Sequence, residues 1–151
     1  MDGFMVVDLP DEAATERAGE ELALRLRPGD FVAIDGDLGA GKTTLVRGIA
    51  RGLGIDPLVV ASPTFVTVQA YTGGRLPLVH IDLWRVGGQR DPGDTLESIG
   101  WDEIVSDTCS VTVAEWANLV ASVLPCRRLD VRLTIRGTAR TIEITDQRSC
   151  C

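Results

Sequence analysis

The sequence predicts an α/β domain with a mainly parallel sheet, antiparallel edge strands and a C-terminal hairpin. Three observations support this prediction: short apolar stretches alternate with stretches of helical periodicity, a glycine-rich turn joins a strand to a helix, and the end of the chain alternates apolar and polar residues around a turn. Strands that alternate with helices favour parallel pairing, because each helix returns the chain to the same edge of the sheet.

The predicted elements of the first half follow from apolar spacing and breakers. They are a strand at 4–9, a helix from the N-cap Asp11 to about 27, a strand at 31–35, and a helix through Leu45, Ile49 and Leu53 that stops at Gly54.

The second half predicts three more strands before the hairpin, with helices between and after them. These elements are strands at 64–70, 78–83 and 111–115, a polar loop at 87–94, helices at 95–105 and 117–124, and hairpin strands at 128–135 and 139–145.

Length and composition indicate one domain, residues 1–151. A chain of 151 residues can bury a full core without cross-links, and 44% hydrophobic with 25% charged residues is typical of soluble globular proteins. The start shows no signal peptide, and no apolar run approaches the ~20 residues of a membrane-spanning helix. We therefore expect a cytoplasmic protein with no membrane partner.

The formal net charge of −7 argues against a protein that holds nucleic acid by itself, because such affinity depends largely on neutralised phosphates. Residues 116–151 are locally basic, with six arginines and three acidic residues. A solvated sheet face explains this segment as well as a contact with RNA or a protein does.

The four cysteines show no metal-ligand spacing. We expect Cys109 and Cys126 to be ordinary thiols, and Cys150 and Cys151 to be an adjacent pair at the end of the chain.

The segment 36–43 reads Gly-Asp-Leu-Gly-Ala-Gly-Lys-Thr, the pattern of a phosphate-binding P-loop, or Walker A motif. It follows a predicted strand and opens a predicted helix, so that free amides and the helix dipole point at an anion. Lys42 then reaches the terminal phosphates and the Thr43 hydroxyl is placed to bind Mg²⁺. The alternative is a glycine-rich turn without a ligand. Lys42 is the only lysine beside fourteen arginines, which favours a role that a wide guanidinium cannot fill.

Two apolar strands end in a carboxylate, Asp82 and Glu115, and either suits the magnesium side of a P-loop. Sequence spacing does not decide which lies nearer Thr43, and either could be a solvated strand end. Thr64 lies in a Ser-Pro-Thr-Phe segment that is either a phosphate-sensing loop or a plain turn. His80, the only histidine, is more typical of a packed side chain than of a catalytic one.

Four segments together resemble the bacterial TsaE (YjeE) family. They are Gly-Asp-Leu-Gly-Ala-Gly-Lys-Thr-Thr at 36–44, Ser-Pro-Thr-Phe at 62–65, His-Ile-Asp-Leu-Trp-Arg at 80–85 and Glu-Trp at 115–116. The one departure is Trp84, where the family usually has Tyr. The resemblance implies a three-layer P-loop NTPase-like fold and an ATPase with Mg²⁺ that acts in formation of threonylcarbamoyladenosine in tRNA. It implies TsaD and TsaB as protein partners, with tRNA contacted weakly or indirectly.

The resemblance also implies roles for individual residues. It assigns catalysis to Lys42, Asp82 and Glu115, magnesium binding to Thr43 and Glu115, and nucleotide binding to Thr15, Leu38, Gly39, Ala40, Gly41, Lys42, Thr43, Thr44, Thr64 and Asp82.

Three other functions fit a P-loop. A small-molecule kinase could use Arg85 and Arg90 over the transferred group, but no acceptor-binding pattern is visible. A GTPase lacks support, because the chain has no Asn-Lys-x-Asp segment: its only asparagine is Asn118. A nucleotide-gated docking module, in which hydrolysis is incidental, overlaps with the TsaE-like role.

Overall fold

Seven strands form one mixed sheet in the part of the chain that the computed structural model describes, residues 3–61, 68–88 and 92–149. The strands are β1 (Gly3–Leu9), β2 (Phe31–Gly36), β3 (Val68–Tyr71), β4 (Leu78–Asp82), β5 (Val111–Glu115), β6 (Leu129–Arg136) and β7 (Ala139–Asp146). Their order is β1-β7-β6-β2-β5-β4-β3. The four strands β6, β2, β5 and β4 are parallel, and the outer pairings are antiparallel. The predicted α/β class, with its antiparallel edges and β6–β7 hairpin, is confirmed.

Within the described ranges, four α-helices and three short 3-10 helices connect the strands. The α-helices are α1 (Glu12–Ala23), α2 (Lys42–Gly52), α3 (Pro92–Ser98) and α4 (Trp101–Ser106), and the 3-10 helices span Pro57–Val59, Trp84–Gly88 and Ala117–Val123. Helix α1 begins as predicted at Asp11, whose carboxylate accepts a hydrogen bond of 2.8 Å from the Ala14 amide. In the described residues no helix has the length and apolarity needed to cross a membrane.

Two helix predictions were wrong in extent. Helix α1 ends at Ala23 and not near 27, because the amides of Arg25 and Leu26 bond the carbonyl oxygens three residues earlier, the 3-10 spacing that tightens the end of a helix. The single helix predicted at 95–105 is two helices, because Gly100 takes a left-handed φ of 77° between them.

Three further boundaries differ from the sequence-based expectation. Helix α3 begins at Pro92, inside the predicted polar loop, because proline suits the first turn of a helix. The segment 117–124 is a 3-10 helix with a non-helical Val120 (φ −127°) rather than one α-helix. Strand β3 starts at Val68; the predicted strand residues 64–67 lie outside the described residues.

The sheet separates two apolar cores, which gives three layers. Alternate residues of β2 point to opposite cores, as expected for a buried strand: Val32 and Ile34 face α1 and α2, whereas Phe31 and Ala33 face α3, α4 and the 3-10 segments. The central strands β2 and β5 are therefore buried on both faces, and the carboxyl ends of the parallel strands meet at one edge.

One expectation about cysteines was wrong. Cys109 is a free, exposed thiol, but Cys126 is disulfide-bonded. The β6–β7 hairpin brings Gln147 back to Arg128, where the Gln147 amide donates 2.9 Å to the Arg128 carbonyl. The start of β6 and the residue after β7 are therefore close in space although they are far apart in sequence.

Helices α1 and α2 approach each other closely through glycines. A Cβ at Gly48 would lie 2.1 Å from the Glu16 carbonyl oxygen, and one at Gly19 would lie 2.4 Å from the Leu45 carbonyl oxygen. Only glycine permits this approach without moving backbone. The contact holds Thr15 of α1 against the turn that precedes α2.

A buried carboxylate fastens the end of the chain. Asp30 is 1% exposed and accepts hydrogen bonds from the Arg27 amide (2.8 Å), Arg148 (2.8 Å) and Arg127 (3.3 Å). Arg148 also donates to Asp146 at 2.7 Å, and this hydrogen bond lowers the pKa of Asp146 to about 2.

We predict that Gly48→Ala destabilises the protein although alanine is the better helix former. The overlap with the Glu16 carbonyl oxygen outweighs a helix propensity gain of about 1 kcal/mol. The free energy of unfolding, measured with urea, should fall by about 2 kcal/mol. The control Arg51→Ala, on the same helix with a half-exposed side chain, should change it by less than about 1 kcal/mol. An alanine at 48 that stabilises the protein would contradict the close helix contact.

We predict an acid-dependent loss of stability that involves Arg148. Because the pKa of Asp146 is depressed in the folded protein, its ionised form stabilises the fold above the unfolded pKa of about 4. This stabilisation is lost as the pH falls toward about 2, and amounts to about 2 kcal/mol. In Arg148→Ala the unfolding free energy should be lower at pH 7, and its decline between about pH 4 and pH 2 smaller. Arg136→Ala, an exposed arginine on β6, should keep the wild-type pH profile; equal profiles for both variants would refute the pairing.

Candidate functional site

The turn between β2 and α2 has the geometry of a phosphate-binding loop. Gly39 and Gly41 have φ of 81° and 100°, in the left-handed region that favours glycine, and Gly41 is the N-cap of α2. The loop thus lies at the amino end of an eleven-residue helix, where backbone amides and the helix dipole favour an anion.

Lys42 is the first residue of α2, and its ammonium group lies inside the loop. Its Nζ donates to the carbonyl oxygens of Gly36 (2.6 Å) and Asp37 (2.9 Å). It also lies 3.9 Å from the centre of the Trp116 ring, a cation–π contact. The residue is only 6% exposed.

Burial lowers the pKa of Lys42, and four carboxylates oppose that effect: Glu115, Asp82, Asp37 and Asp35. The site therefore holds one buried cation among several acidic groups. Such a cation is available to neutralise phosphate oxygens at the amino end of α2.

Glu115 faces Thr43 across the end of the sheet. The Thr43 hydroxyl donates to the Glu115 carboxylate, with Oγ1 3.1 Å from Oε1 and 3.3 Å from Oε2. A hydroxyl and a carboxylate are oxygen ligands that Mg²⁺ prefers, and the ion commonly keeps several waters and phosphate oxygens beside one or two protein ligands. The pair fits that coordination. No group of three or more His, Cys, Asp or Glu placed to bind a metal occurs in the described part of the chain.

Asp82 lies beside Glu115 at the same edge of the sheet. The two residues are paired in register on β4 and β5, so their side chains project to the same face. One Asp82 oxygen accepts a hydrogen bond of 2.9 Å from the Trp84 amide. Both strand-end carboxylates therefore approach Lys42, but of the two only Glu115 hydrogen-bonds Thr43.

The remaining predicted nucleotide residues surround the loop. Thr15 is 2% exposed, and its methyl group lies 3.5 Å from where a Cβ on Gly41 would be. Thr44 donates to Glu12 at 3.4 Å, so both threonines tie the loop to α1. Leu38 is 81% exposed at the tip of the loop and Ala40 is buried beneath it. Thr64 lies outside the described residues.

Sequence reasoning missed two residues at the loop. Arg140 at the start of β7 donates to the Gly39 carbonyl oxygen at 3.1 Å, across 101 positions in sequence, and no local pattern indicates that contact. Asp35, at the end of β2, accepts from the Asn118 amide at 2.6 Å, and burial raises its pKa. The strand-end position was the one available signal for Asp35.

A cavity of about 300 Å³ adjoins the start of the loop. It is lined by Asp35, Gly36, Asp37, Trp116 and Arg132 among others. Trp116 takes a left-handed φ of 60°, uncommon for a bulky residue, and packs on Trp84 with ring centres 4.5 Å apart. Trp116 therefore borders both the cavity and Lys42, and Trp84 packs behind it.

Comparison with known proteins identifies the family. The family model "Threonylcarbamoyl adenosine biosynthesis protein TsaE" matches residues 9–143. A "tRNA threonylcarbamoyladenosine biosynthesis protein TsaE" from Bacillus subtilis is 40% identical over 128 residues, covering 85% of this chain and 75% of the relative. One of the same name from Nostoc sp. is 37% identical over 148 residues, covering 96% and 88%.

A solved structure gives the same result. The crystal structure of Bacillus subtilis YdiB superposes with a TM-score of 0.77 at 30% identity, over 97% of this chain and 88% of that one. The similarity extends over the phosphate-binding loop, both strand-end carboxylates and most of the β6–β7 hairpin. The chain belongs to the TsaE family of threonylcarbamoyl adenosine biosynthesis proteins.

Proposed function

We propose that the chain is a Mg²⁺-dependent ATPase that supports formation of the threonylcarbamoyl group on the adenosine next to the anticodon of tRNA. The observation that carries the proposal is the convergence of Lys42, Thr43 and Glu115 at the amino end of α2. The family supplies the pathway, and the geometry supports the chemistry. A cytoplasmic location goes with the proposal, because the tRNA whose modification it supports is there.

Nucleotide binding rests on the loop and the groups around it. The amides at the start of α2 donate to phosphate oxygens, and Lys42 neutralises the terminal phosphates. Thr15, where α1 packs against the loop, borders the nucleotide, and Asp82 lies on the phosphate side of the site. ATP is favoured over GTP, since the sequence lacks an Asn-Lys-x-Asp segment.

The magnesium ion would be held by Thr43 and Glu115, and when bound it neutralises charge that develops on the phosphate oxygens during hydrolysis. Thr43 supplies a hydroxyl oxygen from α2, and Glu115 supplies a carboxylate from β5. Glu115 is only 2% exposed, so bulk solvent has little access to its carboxylate. Asp82 lies beside Glu115 at the same edge, where its carboxylate would face the magnesium side of the phosphates. Either carboxylate could orient the attacking water.

The acidic charge of the chain is compatible with a protein that binds a tRNA-modifying enzyme and not the tRNA itself. We propose that it acts with TsaD and TsaB, and that tRNA contacts it weakly or indirectly. The net charge of −7 supports binding to proteins over direct binding to tRNA, because direct binding of tRNA would need a large basic surface.

A small-molecule kinase is the second candidate, favoured by the cavity beside the loop. Asp35 and Arg132 line a volume of about 300 Å³ next to Gly36, large enough for a small polar acceptor. Arg90, proposed for the kinase function, lies outside the described residues.

The ATPase proposal predicts phosphate release from ATP that rises when TsaB and TsaD of the same organism are added. Lys42→Ala should weaken ATP binding by about 10- to 100-fold, because it removes charge-assisted hydrogen bonds to phosphate. Arg51→Ala removes a cation from the exposed face of the same helix and should leave binding unchanged. Calorimetry measures the binding and a phosphate assay the turnover. No stimulation by the partners, with phosphoryl transfer only to an added metabolite, would replace the ATPase by the kinase.

A second prediction separates the two carboxylates. Glu115→Gln should raise the Mg²⁺ concentration needed for half-maximal hydrolysis by at least about tenfold, since Glu115 contacts Thr43 directly. Asp82→Asn, a matched change on the neighbouring strand, should lower the turnover rate more than the Mg²⁺ affinity. A magnesium titration of the steady-state rate gives both quantities. If either variant behaved like wild type, that carboxylate would have no role in hydrolysis and would be an ordinary acidic residue at the end of a strand.

A further inference from the structure

We propose that His80 is a positioning residue that holds the Glu115 carboxylate for magnesium binding. The inference rests on the proposed function, because it concerns the same site. Nothing in the sequence distinguished this histidine from a packed core residue, and the comparisons name no role for it. Its buried contact with Glu115 supports this role.

His80 lies on β4 with no exposed surface, next to Glu115 at 2% exposure on β5. Its Nε2 is 2.5 Å from Oε2 of Glu115, and the same carboxylate accepts the Thr43 hydroxyl. The carboxylate is thus contacted from two sides, by a helix and by a strand. Rotation of the carboxylate about its last bond would break one of these hydrogen bonds.

The proposal requires a hydrogen on Nε2 of the ring. Glu115 must be ionised to bind a cation, and an ionised carboxylate can only accept. The other ring nitrogen, Nδ1, has no hydrogen-bond partner among the residues that the structure describes. A buried acceptor without a partner is tolerated better than a buried N–H without one, so the tautomer with hydrogen on Nε2 fits both nitrogens.

Carboxylates that bind metals are themselves usually hydrogen-bonded by a second residue, and His80 has that relation to Glu115. The imidazole fixes the orientation of the carboxylate and offsets the loss of hydration of its charge. Loss of such a partner typically reduces metal affinity by roughly 10- to 100-fold. His80 itself does not contact the nucleotide in this proposal; it acts through Glu115.

A matched pair of amide variants tests the hydrogen bond. In His80→Gln the side-chain nitrogen lies three bonds from Cβ, as Nε2 does in histidine, whereas in His80→Asn it lies two bonds away, as Nδ1 does. Gln can therefore restore the donor to Glu115 and Asn cannot. The measurement is the dissociation constant of ATP in a Mg²⁺ series and in excess chelator, by calorimetry.

We expect His80→Asn to need roughly 10- to 100-fold more Mg²⁺ for half of the magnesium-dependent gain in ATP affinity, and His80→Gln to stay within a few-fold of wild type. Thermal unfolding and ATP binding in chelator serve as fold controls. Equal Mg²⁺ requirements in wild type and His80→Asn, or equal losses in both amide variants, would overturn the positioning role. If wild-type binding does not respond to Mg²⁺, the proposed function fails instead.

A second readout needs neither metal nor activity. Because His80 is the only histidine, the imidazole nitrogen signals of the ¹⁵N-labelled protein belong to it alone. We expect a hydrogen on Nε2 with a proton signal shifted downfield by the bond to Glu115, and loss of that shift in Glu115→Ala. A hydrogen on Nδ1, or a signal that Glu115→Ala leaves unchanged, would overturn the proposal even if the ATPase activity is established.

Discussion

The buried carboxylate of Glu115 needs hydrogen-bond donors, and this need ties the site to the fold. A charge at 2% exposure that lost its partners would destabilise the protein by several kcal/mol. Its hydrogen-bonding partners come from different elements: Thr43 lies in the first turn of α2, and His80 lies inside β4. The strand order, with β5 between β2 and β4, brings those elements together. The interaction that links α2 to the sheet is therefore also the one that suits a magnesium ion.

Much of the fold could be predicted because its signals are local. The strand, glycine turn and helix at 31–52 are adjacent in sequence, so one continuous pattern predicts all three. The two hairpin strands alternate apolar and polar residues on either side of a short turn, so a second local pattern predicts the hairpin. One wrong helix prediction depended on the backbone conformation of a single residue. Gly100 ends a helix that apolar spacing alone would continue. Such a glycine is ambiguous in sequence, since helices also tolerate it when packing demands, as at Gly48.

The site was predictable to the extent that its residues belong to continuous motifs. Lys42 and Thr43 follow from the loop pattern, and Asp82 and Glu115 from their positions at strand ends. Which carboxylate meets Thr43 depends on strand order, because β5 is next to β2 and β4 is one strand further. The contact of Arg140 with Gly39 and the bond between His80 and Glu115 join distant segments. Residue types and spacing carry no information on such pairs.

The placement of the arginines bears on how an acidic chain can serve tRNA modification. The segment 116–151 has six arginines, which left an RNA contact open as an interpretation. Four of them make contacts within the chain: Arg127 and Arg148 with Asp30, Arg128 with Asp130, and Arg140 with Gly39. Three of these arginines, Arg127, Arg128 and Arg148, are paired with carboxylates and are less available to phosphates than free guanidinium groups. These three arginines therefore have structural roles within the chain, which agrees with the proposal that tRNA contacts the protein weakly or indirectly.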